Sequence, residues 1–156
     1  MRFPEIFKVV PVIASDDINA GVDADSINMK NFLRATFVLL FGTLSGDAVL
    51  TVNSGATNGT KTSALSFHYA VGGAALAASS CDVLAADAEA ATLTLVAATY
   101  TDKMLVIEVE VEKMDVANGE NWLTLSLSNA ANSGTVDGIA ILEPRYTGNS
   151  SASALA

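Results

Sequence analysis

Positive charge is scarce in this sequence. Eight Lys and Arg residues are scattered over 156 positions against seventeen Asp and Glu, for a formal net charge of −9. With no basic patch to neutralise phosphates, nucleic acid is not an expected partner, and an anionic membrane surface is disfavoured in the same way. The acidity suits solubility or a basic partner surface. Charge of either sign is thin: 16% of residues are charged, where a soluble domain carries roughly 25%. Cys81 is the one cysteine, which excludes an intramolecular disulfide framework. His68 is the one histidine, so no second His can share a metal with it, and no local motif joins it to Cys81 as a nucleophile–base pair. Cys81 therefore reads as a small, partly buried apolar residue. Aromatic residues make up 6%, with a single Trp, which leaves little material for sugar-stacking platforms. The longest strongly apolar run, Phe37 to Phe41, is far too short to span a bilayer.

Hydrophobic residues nevertheless make up 51%. A chain of this length suits one domain, spanning 1–156, that buries about 70% of its unfolded surface. With so few charges, the surface must be tiled by Ala, Ser, Thr, Asn and Gly or be buried against other chains. The second reading is favoured, since a poorly charged apolar surface tends to associate. The opening MRFPEIFKVVPVIAS has Pro4, Glu5, Lys8 and Pro11 interrupting any apolar core, so it fails as a secretory leader and reads as an arm and strand over 1–14. Without a leader, the acceptor patterns at Asn58 and Asn149 read as chance.

The clearest pattern lies between Lys103 and Asn129. Leu105, Ile107, Val109 and Val111 alternate with Val106, Glu108, Glu110 and Glu112; after a turn, Leu123, Leu125 and Leu127 alternate with Trp122, Thr124, Ser126 and Ser128. Successive strand residues point to opposite faces, so each run has one apolar face. Asn118-Gly119 supplies the positive-φ residues of a reversal. These two strands are expected to pair antiparallel across a broad loop. Ile6 to Ile13 reads as an edge strand because of Pro11. Arg34 to Gly42 is almost continuously apolar and is expected to be buried on both faces, either centrally or under another subunit. Ala48 to Asn53 follows closely enough for a hairpin. Thr62 to Val71, Thr92 to Ala97 and Val136 to Leu142 complete the set. The Ala-rich stretch between them is expected to be an irregular excursion with a short strand at Cys81 to Leu84, with a short helix near Ser80 to Ala91 as the alternative. About eight antiparallel strands with turn signals between them indicate an all-β sandwich or jelly roll. Pro144 ends the ladder, and the Gly/Ser/Ala tail over 144–156 is expected to be mobile.

Three features invite chemistry. Asp16, Asp17, Asp23 and Asp25 suggest calcium, but the spacing matches no EF-hand loop, so turns and a short helix capped by Asp25 or Ser26 are expected. Glu108, Glu110 and Glu112 form a carboxylate row, best read as a solvated strand face. His68 shares a face with Ala64, Ser66 and Ala70 and reads as a hydrogen-bonded surface residue. No triad, phosphate-cradling loop, metal spacing or convincing carboxylate dyad is present, so neither catalysis nor a cofactor is expected.

The run VIEVEVEKMDVANGENWLTLSLSNAANSGTVDGIAILEPRY resembles the C-terminal part of small structural proteins of tailed-bacteriophage heads, a likeness carried more loosely by Ile27-Asn28-Met29 and Ser66 to Tyr69. The resemblance implies a capsid decoration or cement protein: a β-sandwich on the outer surface of the virion, made in the host cytoplasm, with the major capsid protein and further copies of itself as partners. A homotrimer is the first expectation and a dimer the second. Another virion part (head fibre, collar or tail-associated sandwich) and a glycan-binding module are the alternatives. Exposure and composition nominate the contacts: the N-terminal arm with Arg2, Phe3 and Phe7, the loop and anchor of Asp115, Asn118 and Trp122, and Arg145 with Tyr146.

Overall fold

The alternating runs form strands that sort into two antiparallel sheets. The computed structural model describes residues 2–129, 132–146, 148 and 153–155. Among these, twelve strands form: β1 (Lys8–Asp17), β2 (Val22–Asp23), β3 (Ile27–Asn28), β4 (Phe32–Leu44), β5 (Ala48–Gly55), β6 (Ser63–Ala64), β7 (Phe67–Val71), β8 (Ala88–Ala90), β9 (Thr92–Leu95), β10 (Met104–Glu110), β11 (Trp122–Asn129) and β12 (Gly134–Pro144). Two four-residue helices, α1 (Phe3–Ile6) and α2 (Ala97–Tyr100), and single 3-10 turns complete the described chain. None is long and apolar enough to cross a membrane.

The first sheet runs β1-β12-β4-β10-β7-β8. The second runs β2-β11-β5-β6, with β3 also beside β11 and β9 beside β5. With β2 and β3 taken as one interrupted strand and β6 to β8 as an insertion, eight strands remain. In chain order they lie 1-8-3-6 in one sheet and 2-7-4-5 in the other. That is the jelly-roll arrangement, in which successive strands cross to the opposite sheet except the fourth and fifth, β5 and β9, which pair within the second sheet. Seven of the expected strands belong to this framework; its remaining strand, β2 with β3, falls where a loop was expected, and the expected strand over Thr62 to Val71 lies in the insertion as β6 and β7.

The crossing pattern overturns two expected pairings. β10 and β11 are not hairpin partners: β10 pairs with β4 and β7, while β11 pairs with β2, β3 and β5. β4 and β5 likewise lie in different sheets. Alternation shows which side chains point inward, but two strands facing one core from opposite sheets show the same alternation as two strands of a hairpin. The expected single strand over Thr62 to Val71 changes sheets at Leu65-Ser66, leaving β6 against β5 and β7 against β10. Cys81 to Leu84 forms turns with one isolated bridge from Leu84 to Gly72, and the strand falls at Ala88–Ala90 instead.

The core lies between the sheets. Ala35, Phe37, Leu39 and Phe41 of β4, Leu105, Ile107 and Val109 of β10, and Leu123, Leu125 and Leu127 of β11 are all buried, as the alternation requires. Each such large side chain contributes about 1.5–3 kcal/mol by leaving water. β1 is the edge strand that Pro11 demands; its register slips after Pro11, and Ser15 takes φ 44°. Such irregularity blunts an edge against pairing with another chain.

The expected helical start at Asp25 or Ser26 lies further along. Ile27–Asn28 is a strand, and a 3-10 turn over Met29–Asn31 is capped by Asn28, whose side chain accepts from the Lys30 N–H at 3.1 Å. The tail also departs from expectation. The Ala154 carbonyl accepts from the Asn28 N–H at 2.8 Å, Ala154 is buried, and Leu155 packs on the core. Apolar Ala154 and Leu155 find a site on the core edge, which composition alone did not reveal. The tail positions 147, 149–152 and 156, Asn149 among them, lie outside the described residues.

Candidate interaction surface

Strand register gathers the nominated segments at one end of the sandwich. Lys8, the first residue of β1, pairs with Leu142, so α1 lies beyond the end of β12. Pro144 pairs with Phe32 at the start of β4, and Trp122, the first residue of β11, pairs with Asn28 and Gly55. The Met29 N–H donates to the Asn121 carbonyl at 2.8 Å, joining the β4 side of this end to the loop before β11.

On the arm, Glu5 reaches back to accept the Arg2 N–H at 2.8 Å, closing the one turn of α1. This stacks Phe3 and Phe7, with ring centroids 5.0 Å apart, and leaves Phe3 50% exposed. Arg2 is exposed and Phe7 half-buried. Arg145 is spent on structure: its N–H donates to the Asn31 carbonyl at 2.9 Å and its Nε to the Phe32 carbonyl at 3.1 Å. Those bonds present the next residue, Tyr146, at 74% exposure.

The loop from Val111 to Asn121 is built from two 3-10 turns, Val111–Lys113 and Val116–Asn118. Asp115 is half-buried and holds the loop together. Its carboxylate accepts from Asn118 Nδ2 at 2.7 Å and its carbonyl from the Asn118 and Glu120 N–H groups, both at 3.1 Å. Gly119 closes the turn at φ 80°, in the left-handed region. Asn118 and Val116 are exposed at the tip, and Trp122 is half-buried. Of the eight nominated residues, Asp115 and Arg145 thus fix the shape of the surface, while Phe3, Asn118 and Tyr146 present it.

Glu120 anchors this loop and carried no signal in the sequence. It is buried, and accepts from Ser54 Oγ at 2.5 Å and Ser63 Oγ at 3.1 Å. The polar face of β11 is likewise more buried than alternation suggests. Thr124 shares a 2.6 Å hydroxyl bond with Ser26, and the Gly59 N–H donates to Ser26 Oγ at 3.0 Å, so the loop after β5 folds over this face. A Cβ at Gly55 would collide with the Thr60 backbone, so glycine permits that fold-back.

The other chemically suggestive residues disperse. Asp17 caps a 3-10 turn through the Asn19 N–H and also accepts from the Gly134 N–H. Asp16 accepts the Asp17 N–H. Asp23 meets Lys61 Nζ at 2.9 Å and Ser126 Oγ at 2.6 Å. Partial burial pushes the Asp23 carboxyl up, but the Ser126 and Lys61 hydrogen bonds outweigh it and hold the group below its usual value. The expected carboxylate row is interrupted, because Glu112 sits in a 3-10 turn. Glu108 is bridged with Glu143 by Arg34, at 2.9 and 3.0 Å. His68 Nδ1 lies 2.8 Å from Asp87, and that hydrogen bond raises its pKa. Among the described residues, no group of three His, Cys, Asp or Glu side chains is arranged to hold a metal.

In class, the molecule is a jelly-roll β-sandwich. No protein-family model matches the chain, and no curated protein matches its sequence. Among solved structures it is similar to the crystal structure of the SPBc2 prophage-derived protein YomS, with a TM-score of 0.50 and 11% identity over 86% of this chain and 92% of that one. At that identity the likeness is one of fold.

Proposed function

We propose that this chain is a structural protein of a tailed-phage virion that decorates and stabilises the capsid by binding across neighbouring major capsid protein subunits. The observation that carries this reading is the convergence of three separate chain segments on one end of the sandwich, with Phe3, Val116 and Tyr146 exposed there. A rigid jelly roll with a contact surface at one end is suited to plugging a seam. The prophage origin of YomS and the likeness of the last third to phage head proteins support the same setting. The chain acts mechanically, without catalysis. Preferential binding to the assembled shell over its dissociated subunits stabilises the shell by mass action, and many copies on a lattice allow each contact to be modest.

The test is a binding and heat-release assay on purified capsids. The intact chain is expected to co-sediment with expanded shells and raise the temperature at which they release their DNA. A chain lacking residues 1–8 is expected to lose both effects. Unchanged binding and heat resistance on that deletion would refute the role of the arm. Copy number per virion separates this reading from a collar, fibre or tail part: a simple lattice fraction of the major capsid protein supports decoration, and a handful of copies supports the alternatives.

A further inference from the structure

We propose that the hollow on the outer face of the second sheet, where the Asp23–Lys61 ion pair meets the outward polar side chains of β5 and β11, binds a neutral saccharide. This goes beyond the capsid reading and does not rest on it.

Leu50 and Val52 of β5, Leu123, Leu125 and Leu127 of β11, and Val22 of β2 point into the core. The residues between them face outward. Register sets Asp23, Ser126, Thr51 and Thr92 in one row across four strands. The rows on either side are Thr124, Asn53 and Ala64, and Ser128, Val49 and Thr94. Of these side chains only Asp23 is charged, and only Val49 and Ala64 are apolar. Lys61, from the loop after β5, reaches over β11 to Asp23, with Nζ 2.9 Å from both carboxylate oxygens. The hollow measures about 430 Å³ and is lined by Thr51, Asn53, Ser126 and Ser128 beside that ion pair, with Ala20 to Val22 flanking it at β2. Sites for small ligands run from about 300 to 1,000 Å³.

The lining selects the class of ligand. Asp23 and Lys61 are its charged residues and neutralise each other, so net charge draws in neither an anion nor a cation. Among the described residues no aromatic ring lines the hollow, so it has no surface on which to stack a nucleobase. What it offers is a mixed set of donors and acceptors. Among the described residues the Thr51 hydroxyl and the Asn53 amide have no partner in the chain, and Ser128 donates only a long 3.4 Å bond to the Val49 carbonyl. Asp23 Oδ1 accepts from Ser126 Oγ at 2.6 Å and from Lys61, whereas Oδ2 accepts from Lys61 alone. Lys61 keeps a third N–H. A sugar hydroxyl is donor and acceptor at once. It can donate to Asp23 Oδ2 or the Asn53 amide oxygen while accepting from Lys61 Nζ, Asn53 Nδ2 or Thr51 Oγ. These groups spread over two strand spacings, about 10 Å, and one side-chain repeat, about 7 Å, an area that one or two pyranose rings cover. All but Lys61 stand on strands, and Ser126 fixes Asp23, so little ordering is lost on binding. With no stacking ring, affinity rests on hydrogen bonds exchanged with water, which sets it in the millimolar range.

An NMR titration of the isotope-labelled full chain tests the inference, using the methyl α-glycosides of glucose, galactose, mannose and N-acetylglucosamine, each to about 50 mM. At least one is expected to shift the amide resonances of Thr51, Asn53, Ser126 and Ser128 saturably, with a dissociation constant on the order of 1–10 mM. Asn53→Ala and Thr51→Val should each weaken that binding about tenfold. Neither side chain has a partner in the chain, so both variants should melt as the wild type does. No saturable shift with any of the glycosides, saturable shifts confined to other residues, or undiminished binding in both variants would overturn the proposal. Tighter binding of phosphate or of tetramethylammonium at the same residues would overturn it as well, since the lining would then act through net charge.

Discussion

Removing the Glu120 carboxylate should loosen the loop that presents Asn118 and Trp122. Glu120 is 6% exposed and accepts two hydroxyl bonds, from Ser54 and Ser63; Ser54 itself is fully buried. In Glu120→Ala both bonds vanish and the Ser54 hydroxyl is left in an apolar setting. A hydrogen bond to a charged group contributes about 1.5–3 kcal/mol, and an orphaned buried hydroxyl costs about 1–3 kcal/mol. Against this stands relief of the desolvation of the carboxylate. The balance is a loss of about 2–4 kcal/mol. For a domain of this size each kcal/mol moves Tm by about 2–4 °C, so a fall of about 4–16 °C is expected in calorimetry. Glu120→Gln keeps the volume. Its carbonyl oxygen accepts from one serine and its amide donates to the other, so the loss should be about 1 kcal/mol. A Glu120→Ala protein melting within 1 °C of wild type would refute the anchoring argument. So would a Gln variant as unstable as the Ala variant, since hydrogen-bond geometry would then not be the cause.

Two further perturbations probe the same end of the molecule and the β7–β8 margin. Gly119→Ala meets no neighbouring atom but places a Cβ at φ 80°, so it should cost about 1–2 kcal/mol, read as a lower urea midpoint at unchanged slope. The Asp87 hydrogen bond raises the His68 pKa, so the folded value exceeds the unfolded one, and the pair's contribution is complete below the unfolded value of about 6.5 and fades as pH rises through the folded value. The melting advantage of wild type over His68→Gln should accordingly be present at about pH 5.5 and absent at about pH 8.5, and an advantage that grew with pH would contradict the assignment.

Strand identity was legible in the sequence because burial follows a period of two: Leu105, Ile107 and Val109, and then Leu123, Leu125 and Leu127, all point inward as the alternation states. Partner choice was not legible, because β10 and β11 face one core from opposite sheets and the period is the same in either topology. The apolar run at Phe37 to Phe41 misled about its outer face: Phe37, Leu39 and Phe41 are buried, but Val38 is half-buried and Leu40 is 40% exposed, because an apolar side chain on the outer face of a strand carries no signal of what covers it. Composition suggested the exposed aromatics at Phe3 and Tyr146. It could not assign Arg145 or Asp115 to structural duty, because their partners are backbone groups and a neighbouring amide, visible only in the folded chain. Glu120 was silent for a similar reason. Its two serines precede it by 66 and 57 residues, and no local motif marks a carboxylate that will be buried.

The placement of β12 between β1 and β4 has a consequence for biogenesis. The first sheet cannot close until the last framework strand is available, since Glu143 must find Arg34 and Leu142 must find Lys8. While the chain is being synthesised, β1 and β4 therefore emerge with their shared neighbour missing. Closing loops of that length is slow relative to local structure, so folding of the first sheet waits for β12 and should occupy the millisecond-to-second range of non-local β topologies. During that interval the strands of the first sheet have incomplete ladders, and the irregular, proline-bearing β1 offers other nascent chains a poor template for pairing.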